Sequence, residues 1–178
     1  MTTATLSVGF MLFNDYVAPP PNLAGRWKFT VVYEDTSLST FEGLEVTYQA
    51  LLIQEGLELS GTGEKLSDRG PLIDPVDYDG DRRTNIQVVG HVTRNYFSPD
   101  ALVIHYDEQG SLRESSTLHQ LAYFDARTMC GCFQSTIADT IGSVWWERPD
   151  NRNDLYEPVR EPTVCRNADC GASLSENP

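Results

Sequence analysis

The residues best suited to ligand binding or catalysis are polar side chains placed among apolar and aromatic neighbours. Arg94 can anchor an anionic or carbonyl group, and Glu114 can balance its charge. A small-ligand site typically combines an apolar cavity with a few convergent polar groups, and aromatic rings stack on a flat apolar ligand. The sequence therefore predicts a ligand-binding set made of Trp27, Tyr48, Arg94, Tyr96, Tyr106, Glu114 and Ser116.

A second set of residues could support acid–base catalysis. The expected hairpin register places His91 beside Asp107 and Asp107 beside Arg113, with Thr93 and Ser115 nearby. An imidazole oriented by a carboxylate is the arrangement of a general base. The alternative interpretation is an exposed cross-strand polar ladder. An enzyme therefore stays open as a function, working either through His91 and Asp107 or as a barrel-interior isomerase or cyclase through Arg94 and Glu114, with no catalytic residue assigned.

Aspartates alternate in the longest loop, from Asp77 to Asp81. Carboxylate oxygens can bind calcium, but this loop lacks the glycine at position six and the glutamate at position twelve of an EF-hand. We therefore expect a solvated acidic loop that, together with Asp74, could meet a basic protein partner. No metal and no cofactor is predicted.

The cysteines, Cys130, Cys132, Cys165 and Cys170, all lie late in the chain. Their spacings differ from those of a standard zinc knuckle, although a four-thiolate zinc site and a local Cys165–Cys170 disulfide are alternatives. The apolar stretch from Ala4 to Phe13 lacks the basic residues and the cleavage site of a secretory signal. The expectation is therefore free thiols in the cytoplasm.

Charge and hydropathy restrict the partners. The chain has 178 residues and a formal net charge of −13. Such a protein is repelled by nucleic-acid phosphates and by anionic membrane surfaces, so neither is an expected partner. No apolar run reaches the ~20 residues that span a bilayer as a helix. The expected partner is a small apolar or aromatic ligand, and a basic protein is the alternative.

The elements that must position these residues are predicted to be strands, because apolar and polar residues alternate along most of the chain. In the first strand Trp27, Phe29, Val31 and Tyr33 are separated by polar residues. Eight strands are predicted, at 26–34, 44–52, 57–65, 85–97, 101–107, 113–124, 129–137 and 143–148. Such a meander indicates an all-β, antiparallel up-and-down barrel, whose closure removes exposed edges, with a β-sandwich as the alternative.

The run Leu23-Ala24-Gly25-Arg26-Trp27 opens the first strand. It resembles the Gly-x-Trp signature that begins the barrel of calycin-type proteins, meaning lipocalins, avidins and fatty-acid-binding proteins. The resemblance covers residues 23–148 and implies an eight-stranded barrel that holds a small ligand inside. An N-terminal apolar segment and Pro-rich linker, residues 1–22, and a polar, poorly ordered tail, residues 149–178, are predicted to flank it.

Turn geometry predicts which faces point inward. If Asp107 pairs with Arg113, the even-numbered residues of the fourth, fifth and sixth strands share one largely apolar face, which should line the interior. Arg94 and Glu114 would then be buried on either side of the fifth strand and would pair with each other or with a ligand. On this register the histidines, His91, His105 and His119, all lie outside.

Overall fold

The computed structural model describes residues 19–110, 114–149, 156, 158–162 and 165. Its strands are β1 (Gly25–Asp35), β2 (Glu45–Glu55), β3 (Glu58–Gly70), β4 (Ile73–Asp77), β5 (Asn85–Thr93), β6 (Asp100–Gln109), β7 (Glu114–Asp125), β8 (Thr128–Ser135) and β9 (Thr140–Glu147). Single-turn 3-10 helices at Ser39–Phe41, Gly80–Arg82 and Ile137–Asp139 lie in the connections. No helix within these ranges is long and apolar enough to cross a membrane.

Eight of the strands close into an antiparallel barrel, which confirms the predicted fold class. β1 pairs with both β2 and β9, and β3 pairs with both β2 and β5, so the cylinder has no open edge. The ninth strand, β4, pairs with β3 beyond the cylinder. The sequence predicts only a loop there, because Pro75 and the aspartates interrupt the apolar alternation.

The interior is lined by the alternating apolar residues of each strand. Trp27, Phe29 and Val31 of β1 are at most 1% exposed. Val46 and Tyr48 of β2 are equally buried. Burial of each large apolar side chain stabilises the fold by ~1.5–3 kcal/mol, so the alternation that predicts the strands also supplies the core.

The end of the barrel at which β1 begins, here called the closed end, is plugged by Leu23. This side chain is fully buried, and its carbonyl accepts a 2.7 Å hydrogen bond from the Trp27 indole. The Arg148 guanidinium lies 4.6 Å from the centroid of the Trp27 ring and donates to the carbonyls of Asn22 and Ala24 at 2.5 and 3.0 Å. Cation–π and charge-assisted contacts therefore fix the chain where it enters β1. The opposite end, where β1 ends and β4 lies, is here called the β4 end.

β7 is turned over relative to the prediction. Tyr106 pairs with Thr117 rather than with Glu114, a slip of three residues (117 − 114), so the predicted pairing of Asp107 with Arg113 is wrong. An odd slip moves every side chain of a strand to the opposite face. Ser115, Thr117, His119 and Leu121 point inward, whereas Glu114, Ser116, Leu118, Gln120 and Phe124 lie on the outer face.

The β5–β6 register also differs, but with a smaller consequence. Val92 pairs with Leu102 rather than with Tyr106, a slip of four residues (106 − 102). An even slip keeps the same face inside, so the predicted burial of Val92 and Leu102 is confirmed. β5 ends at Thr93, which leaves Arg94 in the connection to β6.

The described residues of the C-terminal segment (156, 158–162 and 165), here called the strap, pack against the outer wall of the barrel. Val159 is buried, and its amide donates to Thr30 Oγ1 at 2.8 Å. The carbonyl of Tyr156 accepts from Ser67 Oγ at 2.9 Å. Thr30 and Ser67 face outward from the core and are nevertheless fully buried. The described residues of the predicted tail therefore pack against the barrel wall.

A disulfide between Cys130 and Cys165 joins β8 to the strap. Cys132 is disulfide-bonded as well, so the prediction of free thiols is wrong for the three described cysteines. The four-thiolate zinc site and the local Cys165–Cys170 disulfide are also wrong, because the sulfur of Cys165 is bonded to that of Cys130. Cys170 lies outside the described residues. The pairing depends on the path of the strap, which sequence spacing does not reveal.

Candidate functional site

An aromatic column fills the middle of the barrel. Trp146 stacks on Phe29 with ring centroids 4.1 Å apart, and Phe29 stacks on Tyr48 at 4.9 Å. Trp27 meets Trp146 edge-on at 6.5 Å. Rings stacked at these distances leave no space for a third molecule between them, so no ligand fits within the column.

His119 lies against this column and is fully buried. Its ring is nearly perpendicular to Phe29, Tyr106 and Trp146, with centroids 5.4, 5.1 and 5.8 Å away. Nδ1 accepts a 3.2 Å hydrogen bond from the Trp146 indole. Burial lowers the pKa of His119 to about 3, so the ring is neutral and, with Nδ1 accepting, its proton is on Nε2.

The Nε2–H of His119 is a buried donor without an acceptor among the described residues. More than ~90% of buried polar groups in proteins are hydrogen-bonded, and an orphaned buried donor costs ~1–3 kcal/mol. An exception of this kind at the centre of a barrel indicates a position that a ligand acceptor or an ordered water would complete.

A row of hydroxyl groups runs from His119's neighbour Tyr106 across the interior. The Tyr106 hydroxyl interacts with the hydroxyls of Thr117 and Tyr48. Tyr48 donates to Glu108 at 2.9 Å, and Thr117 donates to Ser135 at 2.9 Å. Burial raises the pKa of both tyrosines, so both remain neutral phenols that can donate or accept.

The polar row continues to the β4 end in a partly buried cluster. The Asp68 carboxylate accepts from the Tyr78 hydroxyl at 2.8 Å and lies 2.9 Å from Lys65 Nζ, both through Oδ2. Oδ1 of Asp68 is buried and has no hydrogen-bond partner among the described residues. Burial, followed by the bond to Asp68, raises the pKa of Tyr78. The β4 end of the interior is thus polar, in contrast with the apolar plug at the closed end.

The predicted ligand-binding residues are divided between the interior and the surface. Trp27, Tyr48 and Tyr106 are buried inside the barrel. Glu114 and Ser116 lie on the outer face, because β7 is turned over. Tyr96 is 44% exposed in the β5–β6 connection, next to the Arg94 guanidinium at 5.5 Å.

The predicted Arg94–Glu114 pair is wrong. Arg94 Nε lies 3.1 Å from Asp100 Oδ2, at the start of β6. Glu114 pairs in register with Gln109, at the other end of β6. The two charges are therefore separated by the length of a strand, and the first residue of β6 supplies the counter-charge of Arg94.

The predicted His91–Asp107–Arg113 set is also not assembled. His91 bonds Glu58 at 2.8 Å, and Gln87 is the residue opposite Asp107. Arg113 lies outside the described residues. The prediction that all three histidines lie outside is wrong for His119, since it depended on the slipped register.

One serine–histidine–aspartate group does occur on the outer wall. His105 Nε2 bonds Ser116 Oγ at 2.5 Å, and the same nitrogen lies 3.7 Å from Asp107 Oδ1. In a catalytic triad the carboxylate bonds the other ring nitrogen, Nδ1, and thereby orients the base. The group therefore has the residues of a triad without its geometry, and it forms a polar surface ladder.

The acidic loop is largely neutralised by neighbouring arginines. Asp77 forms an ion pair with Arg69, and Asp79 forms one with Arg82 at 2.5 Å. No group of three or more histidine, cysteine, aspartate or glutamate residues could hold a metal ion within the described ranges. The side chain of Asp81 is outside this description. Because Asp77 and Asp79 are paired, the loop offers a basic partner two fewer free carboxylates than its composition indicates.

The fold and interior together define an antiparallel eight-stranded barrel with an aromatic core and a buried polar centre. No protein-family model matches the chain, and no curated protein matches it. Among solved structures, it is similar to a redesigned β-barrel, b11L5F_LGL, with a TM-score of 0.42 and 19% identity over 72% of this chain and 92% of that chain. It is also similar to a redesigned β-barrel, mFAP1, bound to DFHBI, with a TM-score of 0.41 and 17% identity over 71% and 94%.

Proposed function

We propose that this protein binds a small aromatic molecule inside the barrel, beside the aromatic column and towards the β4 end. The observation that carries the proposal is the unpartnered, fully buried Nε2–H of His119. A ligand with a carbonyl, phenolic or ring-nitrogen acceptor would complete this donor, and its ring would pack on Tyr106. The neutral phenols of Tyr48 and Tyr106 would bind further polar atoms.

The site favours neutral acceptors over anions for an electrostatic reason. His119 is uncharged, and the carboxylates of Glu108 and Asp68 lie along the polar row towards the β4 end. An anionic ligand would meet these carboxylates without a full positive charge at the centre to compensate for its desolvation. Binding rather than catalysis is proposed, because no activated nucleophile or oriented base is present among the described interior residues.

Replacing His119 tests this proposal. Small aromatic ketones, phenols and azines would be titrated while the fluorescence of the interior tryptophans is recorded, since Trp146 bonds His119 directly. His119→Phe keeps the ring but removes the donor, and we expect binding to weaken ~10- to 100-fold, the equivalent of ~1.5–3 kcal/mol. His119→Gln, which keeps both a donor and an acceptor for Trp146, should retain part of the affinity.

His105→Phe is the matched control, because His105 lies on the outer wall of β6. It should bind like the unmodified protein. Equal affinity of the His119→Phe and unmodified proteins would contradict the proposal, as would the absence of any fluorescence change across the panel.

We further propose that the protein works in an oxidising compartment rather than in the cytoplasm. The Cys130–Cys165 disulfide and the disulfide-bonded Cys132 support this, because structural disulfides rarely persist in reducing cytosol. Recombinant protein directed to an oxidising compartment should contain no alkylatable thiol and unfold at higher denaturant than protein made in a reducing cytosol. Equal stability of the two preparations, with thiols free in one only, would argue against the proposal.

A further inference from the structure

A groove of about 490 Å³ lies on the outer wall of the barrel, where β2, β3 and β5 bend. It is distinct from the interior, because its polar side chains come from the outward-facing rows of these strands. One row pairs Arg26, Leu51, Thr62 and Gln87 across four strands, and the next pairs Gln49, Glu64, Asn85 and Gln109.

Two inward-facing glycines account for the concavity. A Cβ on Gly61 would lie 2.4 Å from the carbonyl oxygen of Leu51, and a Cβ on Gly63 would lie 2.2 Å from that of Gln49. Only glycine permits so close an approach of β2 to β3, and such positions mark sharp strand bends in barrels. The outer wall, which is convex in a regular barrel, therefore forms a hollow here.

The groove is lined by carboxamides with unused hydrogen-bonding capacity. Asn85, Gln87 and Gln109 make no side-chain hydrogen bond within the described part of the chain. Gln49 donates to Glu64, whose carboxylate also accepts from Arg83 at 2.6 Å, so this acid is fixed and neutralised. A planar amide presents one donor group and one acceptor side by side.

We propose that this groove binds a neutral saccharide. Adjacent hydroxyls of a sugar each donate and accept, which matches the paired donor and acceptor atoms of the carboxamides. The 56% exposed side chain of Leu51 offers an apolar surface to the C–H face of a sugar ring. The volume lies within the ~300–1,000 Å³ range of small-ligand pockets. Because Arg83 neutralises Glu64, no free carboxylate among the lining residues favours a cation, and the exposed Arg26 guanidinium can donate to sugar hydroxyls.

The proposal is tested by NMR of side-chain amides on the full chain. Cellobiose, maltose, lactose and the N-acetylglucosamine disaccharide would each be titrated to about 20 mM, which covers millimolar dissociation constants. Binding should shift the side-chain NH₂ resonances of Asn85, Gln87 and Gln109. Gln87→Ala should raise the dissociation constant about 10-fold or more, because one bidentate hydrogen-bonding partner of the sugar is lost.

Gln134→Ala is the matched control, since Gln134 is an exposed glutamine on the outer wall of β8, away from the groove. It should leave the affinity unchanged, as should His119→Phe, which separates this site from the interior one. Three results would overturn the proposal: no shift with any of the four sugars, equal weakening by both glutamine variants, or equal weakening by His119→Phe.

Discussion

His119 carries no charge in the folded barrel at pH values well above 3, because complete burial lowers its pKa to about 3 from an ordinary value of 6.5. Unfolding exposes the ring, which then takes up a proton below pH 6.5. The unfolded state therefore binds more protons than the folded state between these values, and the free energy of unfolding falls as the pH falls.

This sign gives a measurable pH dependence. Between pH 7 and pH 5, His119 should lower the free energy of unfolding by about 2 kcal/mol, since each unit below the unfolded pKa costs ~1.4 kcal/mol. Urea denaturation at both values, compared with that of His119→Phe, measures the contribution. If His119→Phe loses as much stability between pH 7 and pH 5 as the unmodified protein does, the His119 ring must be accessible to protons in the folded state.

Residue positions were predictable wherever they depended on alternation within one strand. Trp27, Tyr48 and Tyr106 are in the interior because period-two patterning fixes their faces without reference to a partner strand. Ser116 was misplaced because its face depends on the length of the β6–β7 turn. An odd shift in the β6–β7 register puts Thr117 rather than Ser116 on the inward face, and it also places His119 at the centre of the barrel.

The strap shows how an element without regular structure can be held in place. Its disulfide closes a loop of 35 residues, and the bonds of Val159 to Thr30 and of Tyr156 to Ser67 position the chain along the wall. The sequence pattern does not reveal this arrangement, because the strap covers the polar outer residues of the barrel rather than an apolar face. β4 was missed because Pro75 and the aspartates interrupt its apolar alternation, although it pairs with β3 and its Ile73 packs against the core.

Removing the disulfide should loosen the strap without opening the barrel. Cys130→Ala with Cys165→Ala should lower the free energy of unfolding by about 2–4 kcal/mol, as expected for a closed loop of this length. Hydrogen exchange of the Val159 amide should accelerate, whereas that of Val144 in β9 should change only with global stability. An unchanged Val159 rate would show that the Cys130–Cys165 disulfide is not what holds the strap.

At the scale of the whole molecule, the barrel combines a crowded interior with positions that have no side chain. Gly131 and Gly142 occupy inward-facing positions in β8 and β9, and Gly142 lies next to the Phe133 ring. Small residues beside large ones fill the interior of a small barrel evenly. The aromatic column and these glycines therefore fill the interior together. The alternation pattern indicates which residues face inward, but it does not indicate how large and small residues fit against each other.

Closure of the barrel should consequently fail when such a position gains a side chain. A Cβ on Gly131 would lie 1.9 Å from the carbonyl oxygen of Gln120, so β7 and β8 would have to separate. Gly131→Ala should lower the free energy of unfolding by about 3 kcal/mol or more, because backbone atoms cannot move aside without breaking the ladder. Gly70→Ala is the control, since the nearest atom to its Cβ, at 3.2 Å, belongs to the Ile73 side chain, and its cost should stay within about 1 kcal/mol. Denaturant unfolding of both variants measures the difference. If the two substitutions cost the same, the close approach of β7 and β8 at Gly131 is not what limits the curvature of the barrel.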